Sequence, residues 1–154
     1  MTLHFAYGSN MSRALMRRRC PGGRALGPAR LDGWRFVIMR EGYASIMPEP
    51  GATVHGVVWS LTPRDLAALN AYESLHRRLY VRRILPVATD GRRRSALVYV
   101  APGRVPGRPQ PGYQELVVAA AREWNLPEDY VQSLSRLICS GLRGALTVAT
   151  GEMG

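Results

Sequence analysis

The sequence predicts a mixed α+β domain whose antiparallel or mixed sheet can curl into a small β-barrel with flanking helices. Three observations predict it. Six or seven short β-like runs and about four helical segments can be counted along the chain. They do not alternate as regular βαβ units, which argues against a parallel sheet. The chain has 154 residues, 46% of them hydrophobic and 21% charged, enough for one domain with a sizeable core. The expected division is a domain over residues 1–140 and a C-terminal tail over 141–154, an added strand or a mobile end.

The elements are expected in this order. Thr2 to Tyr7 reads as a first strand. Ser12 can cap a short helix to about Cys20, with Leu15 and Met16 inward and the arginines outward. Pro21-Gly22-Gly23 breaks it. Three short β-like runs follow: Arg24 to Leu31, Arg35 to Arg40, and Ala44 to Met47. Thr53 to Leu61 is a clearer strand, with Val54, Gly56 and Val58 on one face and His55, Val57 and Trp59 on the other. Thr62 caps the next helix, with Pro63 in its first turn and Asp65 three residues after the cap, and the helix runs to about Tyr72. Tyr80 to Ala88 and Arg92 to Ala101 form a hairpin through Thr89-Asp90-Gly91. Pro102 to Gly112, with four prolines and three glycines, is a semi-rigid loop. Tyr113 to Trp124 is a helix presenting Leu116, Val117, Ala120 and Trp124. Pro127 opens a last helix to about Cys139.

Composition narrows the classes. The start, MTLHFAYGSN, lacks a basic segment followed by an apolar one, so no secretion signal is expected. No apolar run approaches the roughly 18 residues of a membrane span. The cytoplasm is the default compartment. Cys20 and Cys139 are far apart and form no CxxC pattern, so reduced thiols are expected. His4, His55 and His76 share no metal-ligand spacing, and no metal site is expected. The net charge is +10, carried by arginine without a single lysine. Arginines cluster at 17–19, 77–78, 82–83 and 92–94. Aromatic residues are not interleaved with them as stacking platforms would require, so solvated faces are favoured over a nucleic-acid interface.

Three features carry candidate chemistry. On the helix from Thr62, the spacing Leu66, Leu69, Glu73 brings a carboxylate onto the inward face as the helix ends. Burial and the negative helix end would both raise its pKa toward the range of a general base. The other reading ends the helix one residue earlier and turns Glu73 to solvent. In Tyr7-Gly8-Ser9-Asn10, a strand meets a helix through a glycine that allows close backbone approach. Successive N–H groups there can hold an anion or an oxyanion, or the segment is an ordinary turn. It is neither GxGxxG nor GxxxxGKS, and Ser9 stands in no GxSxG elbow. Tyr113, at a helix start behind a stiff loop, can aim its hydroxyl into a pocket or pack on the surface.

Taken together and in this order, these features resemble the gamma-glutamylcyclotransferase-like family, which includes the gamma-glutamylamine cyclotransferases and AIG2-like proteins. The matching stretches are Phe5-Ala6-Tyr7-Gly8-Ser9-Asn10-Met11, Val54-His55-Gly56-Val57-Val58-Trp59 leading to Leu69-Asn70-Ala71-Tyr72-Glu73, Tyr80-Val81-Arg82-Arg83, and Tyr113 with AAAREWNLPEDY. They span residues 3 to about 137. Met11 stands where many relatives have leucine. The resemblance implies a small barrel with flanking helices, no cofactor, and a small gamma-glutamyl substrate. It implies intramolecular aminolysis, giving 5-oxoproline and a free amine or amino acid. Glu73 would be the acid/base. Phe5, Ala6, Tyr7, Gly8, Ser9 and Asn10 would cradle the gamma-glutamyl head, and Tyr113 would hydrogen-bond the substrate. The segment Glu41 to Ala44 and the loop 102–112 would choose the leaving group. A homodimer is plausible from relatives. Other readings are hydrolysis or acyl transfer by the same base, a binding module in which Glu73 is a relic, and a basic nucleic-acid-binding protein on this fold.

Overall fold

A computed structural model describes residues 1–76, 80–103 and 105–138, with the side chains of 74–76 excepted. Cys139 and the 141–154 tail therefore lie outside the described residues. Five strands form a closed barrel in the order β1-β3-β2-β4-β5. They are β1 (Thr2–Ala6), β2 (Arg24–Ile38), β3 (Ala44–Leu61), β4 (Val81–Thr89) and β5 (Arg92–Val100). Four helices flank them: α1 (Arg13–Arg19), α2 (Pro63–His76), α3 (Tyr113–Glu123), and α4, helical over residues 128–138. None is long and apolar enough to cross a membrane.

The strand count is lower than expected because four of the short runs are two long strands. Arg24–Leu31 and the Arg35–Ile38 part of the run expected to reach Arg40 belong to β2, and Ala44–Met47 and Thr53–Leu61 are parts of β3. The glycines and prolines between the runs make bulges rather than breaks. Asp32 pairs with Thr53 and Trp34 with Pro48, so Gly33 alone faces residues 49–52. Gly33 takes a φ of +84°, a conformation open to glycine. The prolines at 48 and 50 are exposed, where a missing N–H costs little.

Residues 57–61 of β3 and 96–100 of β5 are buried on both faces, one against the barrel interior and one against the helices. At the β4–β5 hairpin, Asp90 and Gly91 both take positive φ, as a tight two-residue turn of this twist demands. The barrel closes where His4 of β1 pairs in parallel with Leu97 of β5. Phe5, Met11, Met16, Leu31, Ile46, Leu61, Leu69 and Leu134, from strands and helices alike, are among the largest fully buried side chains of the core.

Two helices depart from expectation. Helix α2 continues past Tyr72 to His76, and its buried positions are Asp65, Leu69 and Glu73, with Leu66 only half-buried. Asp65 is drawn inward because it caps. It accepts from Thr62 N–H at 3.2 Å and from Gly22 N–H at 3.1 Å, tying α2 to the turn after α1. On α3 the buried set is Tyr113, Gln114, Val117, Ala120 and Ala121, with Leu116 half-buried. Gln114 goes inside because its amide donates to the Leu134 carbonyl at 3.1 Å.

Candidate active site

The site is built where β1 ends. Phe5 and Ala6 bring the chain up the barrel wall, and Tyr7 turns its ring inside, with its hydroxyl donating to the Tyr99 carbonyl. Gly8 then turns the chain into a single 3₁₀ turn, Ser9–Met11. Met11 N–H and Ser12 N–H close it onto the Gly8 and Ser9 carbonyls at 3.1 and 3.0 Å. Trp124, at the end of α3, pins the far side by donating from Nε1 to the Met11 carbonyl at 2.7 Å. Ser12 caps α1, as expected, by accepting from Leu15 N–H at 3.3 Å.

Helix α2 brings Glu73 against this turn. The carboxylate is 5% exposed, so the inward reading of the helix face holds, although the helix does not end there. Asn10 Nδ2 lies 3.5 Å from Glu73 Oε1. From the other side, α3 delivers Tyr113. Gly112, with φ +78°, lets the chain enter the helix from a loop strapped to the β2–β3 turn. The straps are Gly107 N–H to Ile38 O at 2.9 Å, Arg40 N–H to Val105 O at 3.0 Å, and Gln110 N–H to Gly42 O at 3.0 Å. Tyr113 is buried, and its hydroxyl accepts from Ala44 N–H at 3.3 Å. Tyr43 meets the Tyr113 ring edge-on at 5.3 Å.

All the residues named from the sequence therefore meet. Phe5, Ala6, Tyr7, Gly8, Ser9, Asn10, Glu73 and Tyr113 line one small cleft, about 310 Å³ of atom-free space including its mouth. Ala44, the end of the segment expected to choose the leaving group, completes the lining with His4, Tyr80 and Tyr99, which were not among the candidate site residues. Tyr80 donates to the Ala44 carbonyl, so two tyrosines grip both ends of one residue's peptide groups. Tyr99 donates to Asn70 Oδ1, one turn before Glu73 on α2. Arg19 was also missed. It was read with its neighbours as an outward charge, but it is half-buried and bonded to Ser9, Asn10 and Tyr72. A signal existed: Met16, Arg19 and Cys20 share a helix face at i, i+3 and i+4.

The electrostatics are those of a buried, tyrosine-lined cleft beside one carboxylate. Burial pushes the Tyr7 hydroxyl well above the usual tyrosine range, and Tyr80, Tyr113 and Glu73 push it further. Burial, then the Glu73 charge, raises Tyr99 as well. Both hydroxyls stay protonated and act as donors. Burial lowers His4 to about 4, so it is neutral, and its Nδ1 bonds the Leu97 carbonyl at 3.1 Å. Among the described residues, no three His, Cys, Asp or Glu side chains gather as metal ligands. A larger, open groove lies at the β4–β5 hairpin, lined by Arg30, His55, Arg92 and Arg93 among others. Its acid, Asp90, is exposed at the hairpin tip, whereas the small cleft holds a buried carboxylate beside fixed donors. The second arrangement is the one that suits proton transfer.

Comparison with known proteins agrees with this geometry. The family model described as gamma-glutamyl cyclotransferase, AIG2-like, matches residues 4–126. Gamma-glutamylcyclotransferase of Mus musculus is 27% identical over 94% of this chain and 83% of that protein. The Homo sapiens protein of the same name is 28% identical over 88% of this chain and 78% of its own length. A solved structure described as gamma-glutamyl cyclotransferase superposes with a TM-score of 0.80 at 28% identity, covering 87% of this chain and 86% of the other. YkqA from Bacillus subtilis gives 0.72 at 25% identity, covering 88% of this chain and 53% of that one. On the match to most of its length, the chain belongs to the gamma-glutamyl cyclotransferase, AIG2-like family.

Proposed function

We propose that this protein converts a gamma-glutamyl amide or peptide to 5-oxoproline, releasing an amine or amino acid, with Glu73 as the acid/base. The observation that carries the reading is the meeting of Glu73, the Tyr7–Asn10 turn and Tyr113 in one cleft. In this reading the substrate's α-amino nitrogen attacks its own γ-carbonyl carbon and closes a five-membered ring. The C–N bond to the leaving amine then breaks. No water is consumed, and the nucleophile is already tethered to its electrophile, which supplies a large effective concentration. The protein has to remove a proton from the α-ammonium and return one to the departing nitrogen, and one buried carboxylate can do both.

In this reading the backbone N–H groups of the Gly8–Asn10 segment face the substrate carboxylate or the developing oxyanion. Tyr113, whose oxygen accepts from Ala44 N–H, donates its own proton to the substrate. The turn at Glu41 to Ala44, whose Ala44 lines the cleft, and the loop strapped to it select the leaving group in this reading. The reading carries with it a cytoplasmic location and, through the relatives, a homodimer.

The test is an assay for 5-oxoproline with gamma-glutamyl-alanine, gamma-glutamyl-lysine linked through the side-chain amine, and glutathione. Glu73→Gln keeps shape and removes the base, so turnover should fall about a hundredfold or more in a folded protein. Product with the wild type alone supports the reading, and the preferred substrate names the leaving group. Free glutamate in place of 5-oxoproline makes the protein a hydrolase. Near-wild-type turnover by Glu73→Gln removes Glu73 from its role.

A further inference from the structure

Three arginines close α1, and one is unlike the others. Arg17 and Arg18 are exposed, whereas Arg19 is half-buried and turned toward the cleft. Its Nη1 donates to Ser9 Oγ at 3.1 Å and to Asn10 Oδ1, and its Nη2 donates to the Tyr72 hydroxyl at 2.8 Å. The guanidinium carbon stands 4.2 Å from the centre of the Tyr72 ring. One planar, permanently charged fork thus spans the turn after β1 and the residue beside Glu73 on α2.

The consequence falls on Asn10. A side-chain amide has an acceptor end and a donor end, and its partners decide which way each points. Arginine can only donate. With Asn10 Oδ1 held by Arg19, Nδ2 faces the other way, and there Glu73 Oε1 lies at 3.5 Å. Turned over, the amide would set oxygen against oxygen at Glu73 and N–H against N–H at Arg19. We propose that Arg19 is a positioning residue that acts through Asn10, presenting an N–H to Glu73 so that the carboxylate is held in place and its charged form favoured. The proposal rests on Glu73 as the acid/base.

The other titratable groups around the cleft are His4 from β1, Tyr7 just after it, Tyr80 beside β4, Tyr99 from β5 and Tyr113 from α3. No arginine lines the cleft among the described residues; the cation reaches it through Asn10. A donor on a carboxylate lowers its pKa, so losing that donor raises it. The acidic limb of the rate profile, where the base becomes protonated, then moves to higher pH.

The test compares wild type with Arg19→Met, Arg19→Lys, Asn10→Ala and the Arg19→Met/Asn10→Ala double variant. Arg19→Met should lower kcat/KM about ten- to a hundredfold and move the acidic limb up by about half to one pH unit. Asn10→Ala should move the limb the same way, and the double variant should lose little more than the worse single one. Arg19→Lys, which still donates to Asn10, should recover part of the limb. A second readout needs no substrate: titration of the Glu73 carboxyl carbon by NMR, assigned with Glu73→Gln. Its midpoint should rise in Arg19→Met. If the wild type forms no 5-oxoproline yet this midpoint rises, the activity reading falls, and what stands is the hold of Arg19, through Asn10, on the Glu73 carboxylate. An unmoved limb and midpoint in folded variants, or additive losses in the double variant, overturn it. Should Arg19→Met fail to fold, Arg19→Lys and Asn10→Ala carry the same comparison.

Discussion

The Tyr113 hydroxyl sits so close over Gly8 that a Cβ at position 8 would lie 2.8 Å from its oxygen and 3.3 Å from Ala44 Cβ. The glycine is therefore required by contact, since its φ of −113° is open to any residue. Gly8→Ala should displace the hydroxyl and lower kcat/KM by about a hundredfold, because misplacing a positioning group by about an ångström has that effect. Adding Tyr113→Phe removes the clashing oxygen. The double variant should recover melting temperature and not activity, which thermal scans and steady-state kinetics separate.

Gly56 meets a harder wall. A Cβ there would stand 2.2 Å from the Ala6 carbonyl oxygen and 2.8 Å from the Phe5 ring. Backbone cannot yield as a side chain can. Gly56→Ala should cost about 3 kcal/mol or more and move the denaturant midpoint accordingly. Gly51 is the control. Its φ is +82° but nothing lies within 4 Å of an added Cβ, so Gly51→Ala should cost only about 1 kcal/mol.

His4 makes stability depend on pH. Its ordinary value of 6.5 applies to the unfolded chain, and burial lowers it to about 4 in the fold. Between those values the unfolded state binds a proton that the folded state refuses. Stability from this group is therefore full above about pH 6.5 and is lost as pH falls toward 4, by about 3 kcal/mol. His4→Phe should flatten the stability curve over that window relative to wild type. Parallel curves for the two proteins would show that His4 titrates normally.

Cys20 should be inert while the protein is folded. Burial, with help from the Asp65 charge, pushes its thiol up to about 11, and its Sγ–H points at the Asp65 carbonyl at 3.6 Å. In a Cys139→Ala background at pH 8, iodoacetamide should label Cys20 at least about a hundredfold more slowly in buffer than in denaturant. Equal rates would mean that the turn after α1 opens freely.

Much of this site was legible because its parts carry local signals. Tyr7-Gly8-Ser9-Asn10 announces a strand ending in a tight turn, and the spacing from Leu66 and Leu69 to Glu73 offers an inward carboxylate provided the helix continues, as it does to His76. The merged strands were not legible. Pro48, Pro50 and Gly51 read as breakers, and only the partner strand shows that the chain bulges there and resumes pairing. Arg19 was hidden by its neighbours, since three arginines in a row look like one charged patch. Asp65 and Gln114 show the same limit from the other side: a polar residue goes inside when a distant backbone group needs it, and that group is visible only in three dimensions.

The parallel seam between His4 and Leu97 joins residues 93 positions apart. On a ribosome adding roughly 5–20 residues each second, the first strand can pair with β3 early but must wait about 5–20 s for its second neighbour, β5, to be made. The Tyr7–Asn10 turn precedes β5 and Tyr113 in the chain, yet it can close its cleft only after both have emerged. Nascent chains cut short before α3 should carry every residue of the turn and Glu73 and still have no cleft. Assembly of the cleft thus waits for α3, and the β5-facing edge of β1 spends that interval open, where chaperones can reach it.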